Sequence, residues 1–356
     1  MIMPEHGCVR INDRCIGAGC PVYIIAELSA NHNNDFDRAV RIIHAAKTAG
    51  ADAVKLQTYT ADTMTIDCDK EYFRIGKGTV WEGRDLYELY AEACMPWEWQ
   101  PKLKAVANAL GMDCFSTPFD ESSVDYLESM DVPAYKIASF ELVDIPLIRR
   151  VAETGRPMIM STGMASRQEI EEAVSTARMC SCNQIALLKC TSGYPALPEE
   201  MNLRTIQYMA ETYCAPVGLS DHSMTTAISV AAVALGACII EKHLTLSRSD
   251  KGPDSHFSLE PDEFKAMVDA VRTAEKALGI ISYAAGEKES ESRVFRRSLF
   301  VVKDIKAGEV FTRDNIRAIR PGYGLHTRHL GAVLGQKASR DIERGTPFSL
   351  DLVRMP

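Results

Sequence analysis

No apolar run in this 356-residue chain reaches the roughly 18 residues that a membrane-spanning helix requires. Residues 1–19 also lack a continuous apolar core, being broken by His6, Arg10, Asp13 and Arg14, so no secretory signal is expected there. A basic excess is missing too. With 40 Lys+Arg against 48 Asp+Glu the formal charge is −8, the wrong sign for a nucleic-acid-binding footprint. Anionic small molecules remain open as substrates, because a cleft can be locally positive inside an acidic protein. Cysteine is plentiful at 11 residues, but Cys180 and Cys182 have no second pair at zinc-finger spacing. Cys114, Cys190, Cys214 and Cys238 sit in apolar stretches, as reduced core thiols of a cytoplasmic protein do.

What the chain does contain is alternation. Short β-rich runs at 22–26, 53–57, 112–116, 134–138, 158–161, 185–190, 217–220 and 238–242 are separated by helical stretches such as 38–48, 97–110, 121–130, 167–179 and 225–235. The runs are continuously apolar rather than alternating, as in a parallel sheet buried on both faces. Eight such βα units in about 260 residues predict a (β/α)8 TIM barrel. The rival, a doubly wound open sheet, lacks its Gly-x-Gly-x-x-Gly after the first run. Residues 58–94 form a long excursion after the second run, on the side where a barrel carries its active site.

The pattern changes near the C-terminus. Residues 284–297 are polar and charged, which predicts a linker or an exposed helix between a barrel at 1–283 and a small β-rich domain at 298–356. Within that domain Asp304-Ile305-Lys306-Ala307-Gly308 echoes Asp341-Ile342-Glu343-Arg344-Gly345, a weak internal repeat. The domain holds 10 Lys+Arg and 6 Asp+Glu, a balance of +4 that leaves −12 for the first 297 residues. Docking over the acidic barrel and an independent surface module both fit that split.

Polar residues at the carboxyl ends of barrel strands are the catalytic candidates. In order the runs end in Glu27; Lys55 and Gln57; Ser116 and Thr117; Lys136 and Ser139, with Glu141 beyond; Ser161-Thr162-Gly163; Lys189 to Ser192; Ser220 to His222; and Glu241 to His243. Two lysines among hydroxyls and a glycine suit a phosphate and a carboxylate. His222 and His243 end adjacent strands and could share a divalent ion, with Glu27 in the same ring. The competing readings are hydrogen-bonded structural histidines, and a Schiff-base aldolase built on Lys55 or Lys136.

With these residues in place the chain resembles the sialic acid synthase family. The matching stretches are Ile24-Ile25-Ala26-Glu27, Asn31-His32-Asn33, Lys55-Leu56-Gln57, Tyr135-Lys136-Ile137-Ala138-Ser139, Leu219-Ser220-Asp221-His222 and Glu241-Lys242-His243. Arg317 to Gly324 is similar to that family's antifreeze-like (SAF, β-clip) domain. Within the family the chain looks most like the branch that makes pseudaminic acid, on Leu56-Gln57-Thr58-Tyr59-Thr60 and Gly252-Pro253-Asp254-Ser255-His256-Phe257-Ser258-Leu259, among others. It departs from the usual pattern at Asn34, Lys251 and His256, and Ser192 replaces the Asn of sialic acid makers.

The resemblance implies a cytoplasmic transferase of carbohydrate biosynthesis, of the kind that serves flagellin glycosylation. It would condense phosphoenolpyruvate with 2,4-diacetamido-2,4,6-trideoxy-L-altrose. Lys55, Thr117, Lys136, Ser139, Ser161, Ser192 and Ser220 would hold phosphoenolpyruvate. Gln57, Glu141, Tyr194, Asp254 and Arg320 would contact the sugar, and Glu27, His222 and His243 would be catalytic. The two histidines would bind Mn²⁺, with Mg²⁺ or Co²⁺ as alternatives, in a domain-swapped homodimer. A legionaminic or N-acetylneuraminic acid synthase is the near alternative. A carbohydrate- or ice-binding protein is the distant one, and it leaves the strand-end charges unused.

Overall fold

The computed structural model describes residues 7–76, 81–250 and 252–354. Lys251, one of the departures from the family pattern, lies outside them. Two compact units result, Met1–Gly279 and Ile280–Pro356.

The first unit opens with an antiparallel hairpin, β1 (Val9–Ile11) and β2 (Arg14–Ile16). Eight parallel strands follow: β3 (Tyr23–Glu27), β4 (Ala53–Thr58), β5 (Asp113–Pro118), β6 (Tyr135–Ile137), β7 (Met158–Ser161), β8 (Ile185–Cys190), β9 (Val217–Asp221) and β10 (Ile239–His243). They pair in sequence order, and β10 closes on β3 with His243 opposite Glu27. The eight-stranded parallel barrel expected from the alternation is therefore present, with strand ends shifted by one or two residues.

Helices form between the strands where the sequence supplies both a cap and an apolar stripe. The helix Phe36–Ala49 begins at Asp35, whose carboxylate accepts Arg38 N–H at 3.0 Å. It buries Ala39, Ile42, Ile43, Ala46 and Ala49, the spacing of one helical face. Ser166 and Glu169 make a capping box for Arg167–Met179. Helices at Ile145–Glu153, Thr205–Tyr213 and Pro261–Leu278 fill out the outer layer.

Side chains alternate along each barrel strand, and this sorts the interior into two zones. At the amino-terminal end Tyr23, Ile25, Ala53, Phe115, Ile159, Ala186, Leu188 and Ile239 pack with Val9, Ile11 and Ile16 of the hairpin. The hairpin is thus a stopper for that mouth. Arg14 ties it to Asp52 at 2.9 Å and to Asp113 at 3.3 Å. At the carboxyl end the inward positions turn polar, and the candidate site begins there.

The second unit carries the short helix Glu287–Glu291 and a 3-10 turn Ser292–Phe295, where a linker or exposed helix was expected. Its sheet is β11 (Ser298–Val301) against β12 (Ile316–Ile319). The weak repeat proves to be a pseudo-two-fold. Ile305 and Ile342 exchange both backbone hydrogen bonds at 2.9 and 2.8 Å. Asp341 accepts from Ala307 N–H and Asp304 from Arg344 N–H, each at 2.8 Å. The repeat-related Phe311 and Phe348 meet edge-on in the core, 5.0 Å between centroids.

Candidate active site

The deepest layer at the carboxyl end is a buried charge network. Lys55 Nζ lies 2.8 Å from Glu27 Oε2 and 3.1 Å from Glu241 Oε1. Glu241 Oε1 also lies 3.8 Å from Lys136 Nζ and accepts the Ser220 hydroxyl at 3.2 Å. Lys136 donates in turn to Ser161 Oγ at 2.6 Å. Both lysines and both carboxylates are almost wholly shielded from solvent.

Burial raises Glu27 to about 7, against the pull of Lys55. Burial would raise Glu241 too, but Lys136 and Lys55 together hold it below the ordinary carboxyl range. Glu241 faces two lysines and a hydroxyl, whereas Glu27 meets one lysine and the Ser29 N–H at 2.9 Å, so Glu241 takes the charge and Glu27 titrates near neutrality. Lys55 is held cationic, because Glu241 and Glu27 outweigh the desolvation that would discharge it. Lys136 is lowered to about 8, chiefly by burial, with Glu241 opposing.

Above this layer the loops after β6, β7 and β8 converge. Gly163 N–H donates to Ser139 Oγ at 3.1 Å. A Cβ at Gly163 would lie 2.8 Å from Ser139 Oγ and collide with Ser192 Oγ, so only glycine leaves the serines their places. Thr117 Oγ1 is buried on β5 without a hydrogen-bond partner. A buried hydroxyl with nothing to bond is free to meet a ligand or a water.

His222 and His243 stand with ring centroids 5.3 Å apart. His222 Nδ1 is 3.1 Å from the Thr191 carbonyl, a contact that orients the ring and frees Nε2. His243 Nδ1 is buried without a partner, and burial followed by the charge of His222 keeps this imidazole neutral. Burial would lower His222, but Cys190 and the Thr191 carbonyl raise it instead, so of the pair His243 is the ready ligand and His222 must give up its proton to join a divalent ion. Among the described residues no group of three or more His, Cys, Asp or Glu gathers as a full metal cage. Cys180 and Cys182 remain free thiols, as do all the other cysteines.

The sugar candidates split by position. Tyr194 stacks obliquely on His222 at 4.6 Å. Asp254 receives the Ser29 hydroxyl, and the Asn31 amide locks the same loop by donating to Leu244 O at 3.0 Å and Ser258 Oγ at 2.9 Å. Half-buried Gln57 follows Lys55 on the inner face of β4. Glu141 leaves Oε2 without a partner and is raised to about 7 by burial. Arg320 is exposed in the second unit.

Two residues in this layer stood at strand ends in the sequence but received no role there. Glu241 is the hub of the charge network. Its signal was available, since it precedes His243 by two on one strand and must face the same way. Cys190 ends β8 with its sulfur 3.9 Å from His222 Nδ1. Burial would raise the thiol, but the His222 charge and hydrogen bond draw it down to about 6. No local spacing announces that pair, which the barrel closure creates.

Comparison with known proteins bears on this arrangement. The NeuB family matches residues 42–283, and the SAF domain matches residues 296–354. The chain belongs to the NeuB family. Similar proteins include a pseudaminic acid synthase of Campylobacter jejuni subsp. jejuni serotype O:23/36 (strain 81-176), 48% identical over 91% of this chain and 94% of that one. A pseudaminic acid synthase of Helicobacter pylori (strain ATCC 700392 / 26695) is 44% identical over 93% and 97%. Among solved structures, N-acetylneuraminic acid synthetase from Leptospira borgpetersenii serovar Hardjo-bovis, in complex with citrate, aligns at a TM-score of 0.72. It is 32% identical and covers 80% of this chain and 95% of that one. For a NeuB family barrel, two lysines inside a carboxylate and hydroxyl network favour anion binding over Schiff-base chemistry, which a lone lysine in an apolar ring would suit better.

Proposed function

We propose that this NeuB family protein is a pseudaminic acid synthase, a transferase that condenses phosphoenolpyruvate and water with 2,4-diacetamido-2,4,6-trideoxy-L-altrose to give pseudaminic acid and phosphate. The observation that carries the reading is the pair Lys55 and Lys136 at the floor of a hydroxyl-lined mouth. Identities of 48% and 44% to proteins of that name, over nine-tenths of the chain, support the choice of sugar.

Lys136 and Ser161, with Lys55, Thr117, Ser139, Ser192 and Ser220 around them, would bind the phosphate and carboxylate of phosphoenolpyruvate. Its C3 attacks the aldehyde carbon, water adds at the resulting cationic C2, and phosphate departs with the bridging oxygen. Glu27, poised near 7, takes the proton of that water and returns one to the new alkoxide. His222 and His243 would hold a divalent ion, Mn²⁺ in the first instance and Mg²⁺ or Co²⁺ as substitutes, which supplies Lewis acidity to the aldehyde oxygen. Gln57, Glu141, Tyr194 and Asp254 would orient the sugar. Arg320, exposed on the SAF domain, would touch an N-acetyl group from the partner subunit in a domain-swapped homodimer.

A panel of hexoses tests the assignment. Phosphate release from phosphoenolpyruvate should be fastest with the trideoxy altrose, slower with its legionaminic-type diastereomer and slowest with N-acetylmannosamine. Faster release with either of the latter two would reassign the product.

A further inference from the structure

Beside the two imidazoles stands a set of aromatic rings, of which the reaction scheme uses Tyr194 alone. Phe257, buried in the loop after β10, lies 5.0 Å from His243 and 4.9 Å from Tyr194. Trp81, from the long excursion after β4, closes on both, 5.8 Å from Tyr194 and 6.3 Å edge-on to Phe257. The indole N–H is already spent on the Pro253 carbonyl at 3.1 Å. Phe257 has no polar atom. Around the imidazoles assigned to the ion the rings then offer mostly hydrocarbon, with the Tyr194 hydroxyl bonded to Ser192.

We propose that Trp81, Tyr194 and Phe257 form an apolar subsite for the methyl-bearing carbon 6 of the sugar, so that the excursion after β4 sets a preference for 6-deoxy over 6-hydroxy hexoses. This rests on the synthase reading above. A methyl group against these rings is buried without loss, whereas a hydroxymethyl in the same place gives up its water and finds no partner on Trp81 or Phe257. Discrimination of this kind, an apolar pocket facing one added hydroxyl, amounts to about a hundredfold at most.

The test compares kcat/KM for the trideoxy altrose and for its 6-hydroxy counterpart, in wild type, Trp81→Ala and Trp81→Phe, by phosphate release. Wild type should favour the 6-deoxy sugar by about 10- to 100-fold. Trp81→Ala should cut that ratio about tenfold, mostly through the 6-deoxy sugar, with KM for phosphoenolpyruvate unchanged. Trp81→Phe should keep most of the ratio. Equal losses on the two sugars, or an unchanged ratio, would overturn the subsite and reduce Trp81 to a packing residue. A ratio that shifts only when the 4-acetamido group is removed would overturn it in favour of an N-acetyl pocket. Should Trp81→Ala fail to fold by circular dichroism, Trp81→Gln, which offers the extra hydroxyl a partner, must lower the same ratio. Wild type that releases no phosphate with either sugar would instead dispose of the synthase reading itself.

Discussion

At Lys136 and Glu27 the barrel interior puts two ionisable groups where neutral pH divides them. If Glu27 must be ionised to take a proton, kcat/KM should rise through its pKa of about 7. If Lys136 must be charged to hold an anion, activity should fall as pH passes its value of about 8. A narrow bell between those limbs is the expected profile. Glu241 supports the Lys136 cation, so Glu241→Gln should move the alkaline limb to lower pH. It should also cost about 3–5 kcal/mol of stability, since the lysines lose a buried counter-charge. Both are measurable, by a pH–rate series and by urea unfolding. An unmoved limb with lost stability would leave Glu241 a structural residue only.

The imidazole pair gives a second expectation at this scale. His243→Ala should lose divalent-ion binding in equilibrium dialysis, and EDTA should abolish turnover until Mn²⁺ is restored. Full activity after chelation would remove the ion from the scheme. Much of this site was legible beforehand, because β periodicity and the rule about strand ends are enough to find Lys55, Lys136, His222 and His243. Glu241 and Cys190 gain their meaning from neighbours on other strands, and a linear reading does not order those distances.

Among the elements, the eight strands were legible because each is a continuous apolar run bounded by turn residues. The stopper hairpin was not. Val9 and Ile11 flank Arg10 before an Asn12-Asp13 turn and Ile16 closes the return strand, a period-2 signal too short to stand out amid the charge of the first 19 residues. Ile11 is fully buried there. Ile11→Ala should therefore destabilise the first unit by about 2–5 kcal/mol in chemical denaturation, with kcat/KM near wild type at low temperature. A silent substitution would mean that the barrel mouth tolerates an open base. The excursion after β4 was placed on the correct side by sequence, yet its delivery of Trp81 to Tyr194 needed the fold.

On the scale of the whole molecule, a NeuB barrel and an SAF domain are joined in one chain, and each has its own core. No helix among the described residues is long and apolar enough to cross a membrane. The repeat behind the SAF domain was visible as Asp304-Ile305 and Asp341-Ile342, but its reciprocal pairing was not, since sequence similarity carries no contact. If Arg320 reaches a partner's sugar, Arg320→Ala should raise the sugar KM about 10- to 100-fold and leave that for phosphoenolpyruvate alone. A protein ending at residue 285 should be nearly inactive. Normal kinetics in either variant would confine the reaction to the barrel.

The central claim is condensation with C–O cleavage, and isotope placement tests it most directly. Phosphoenolpyruvate labelled with ¹⁸O at the bridging oxygen should, with the trideoxy altrose, give labelled phosphate and an equal amount of unlabelled pseudaminic acid. Label retained in the sugar, or phosphate released without a nine-carbon product, would contradict the account.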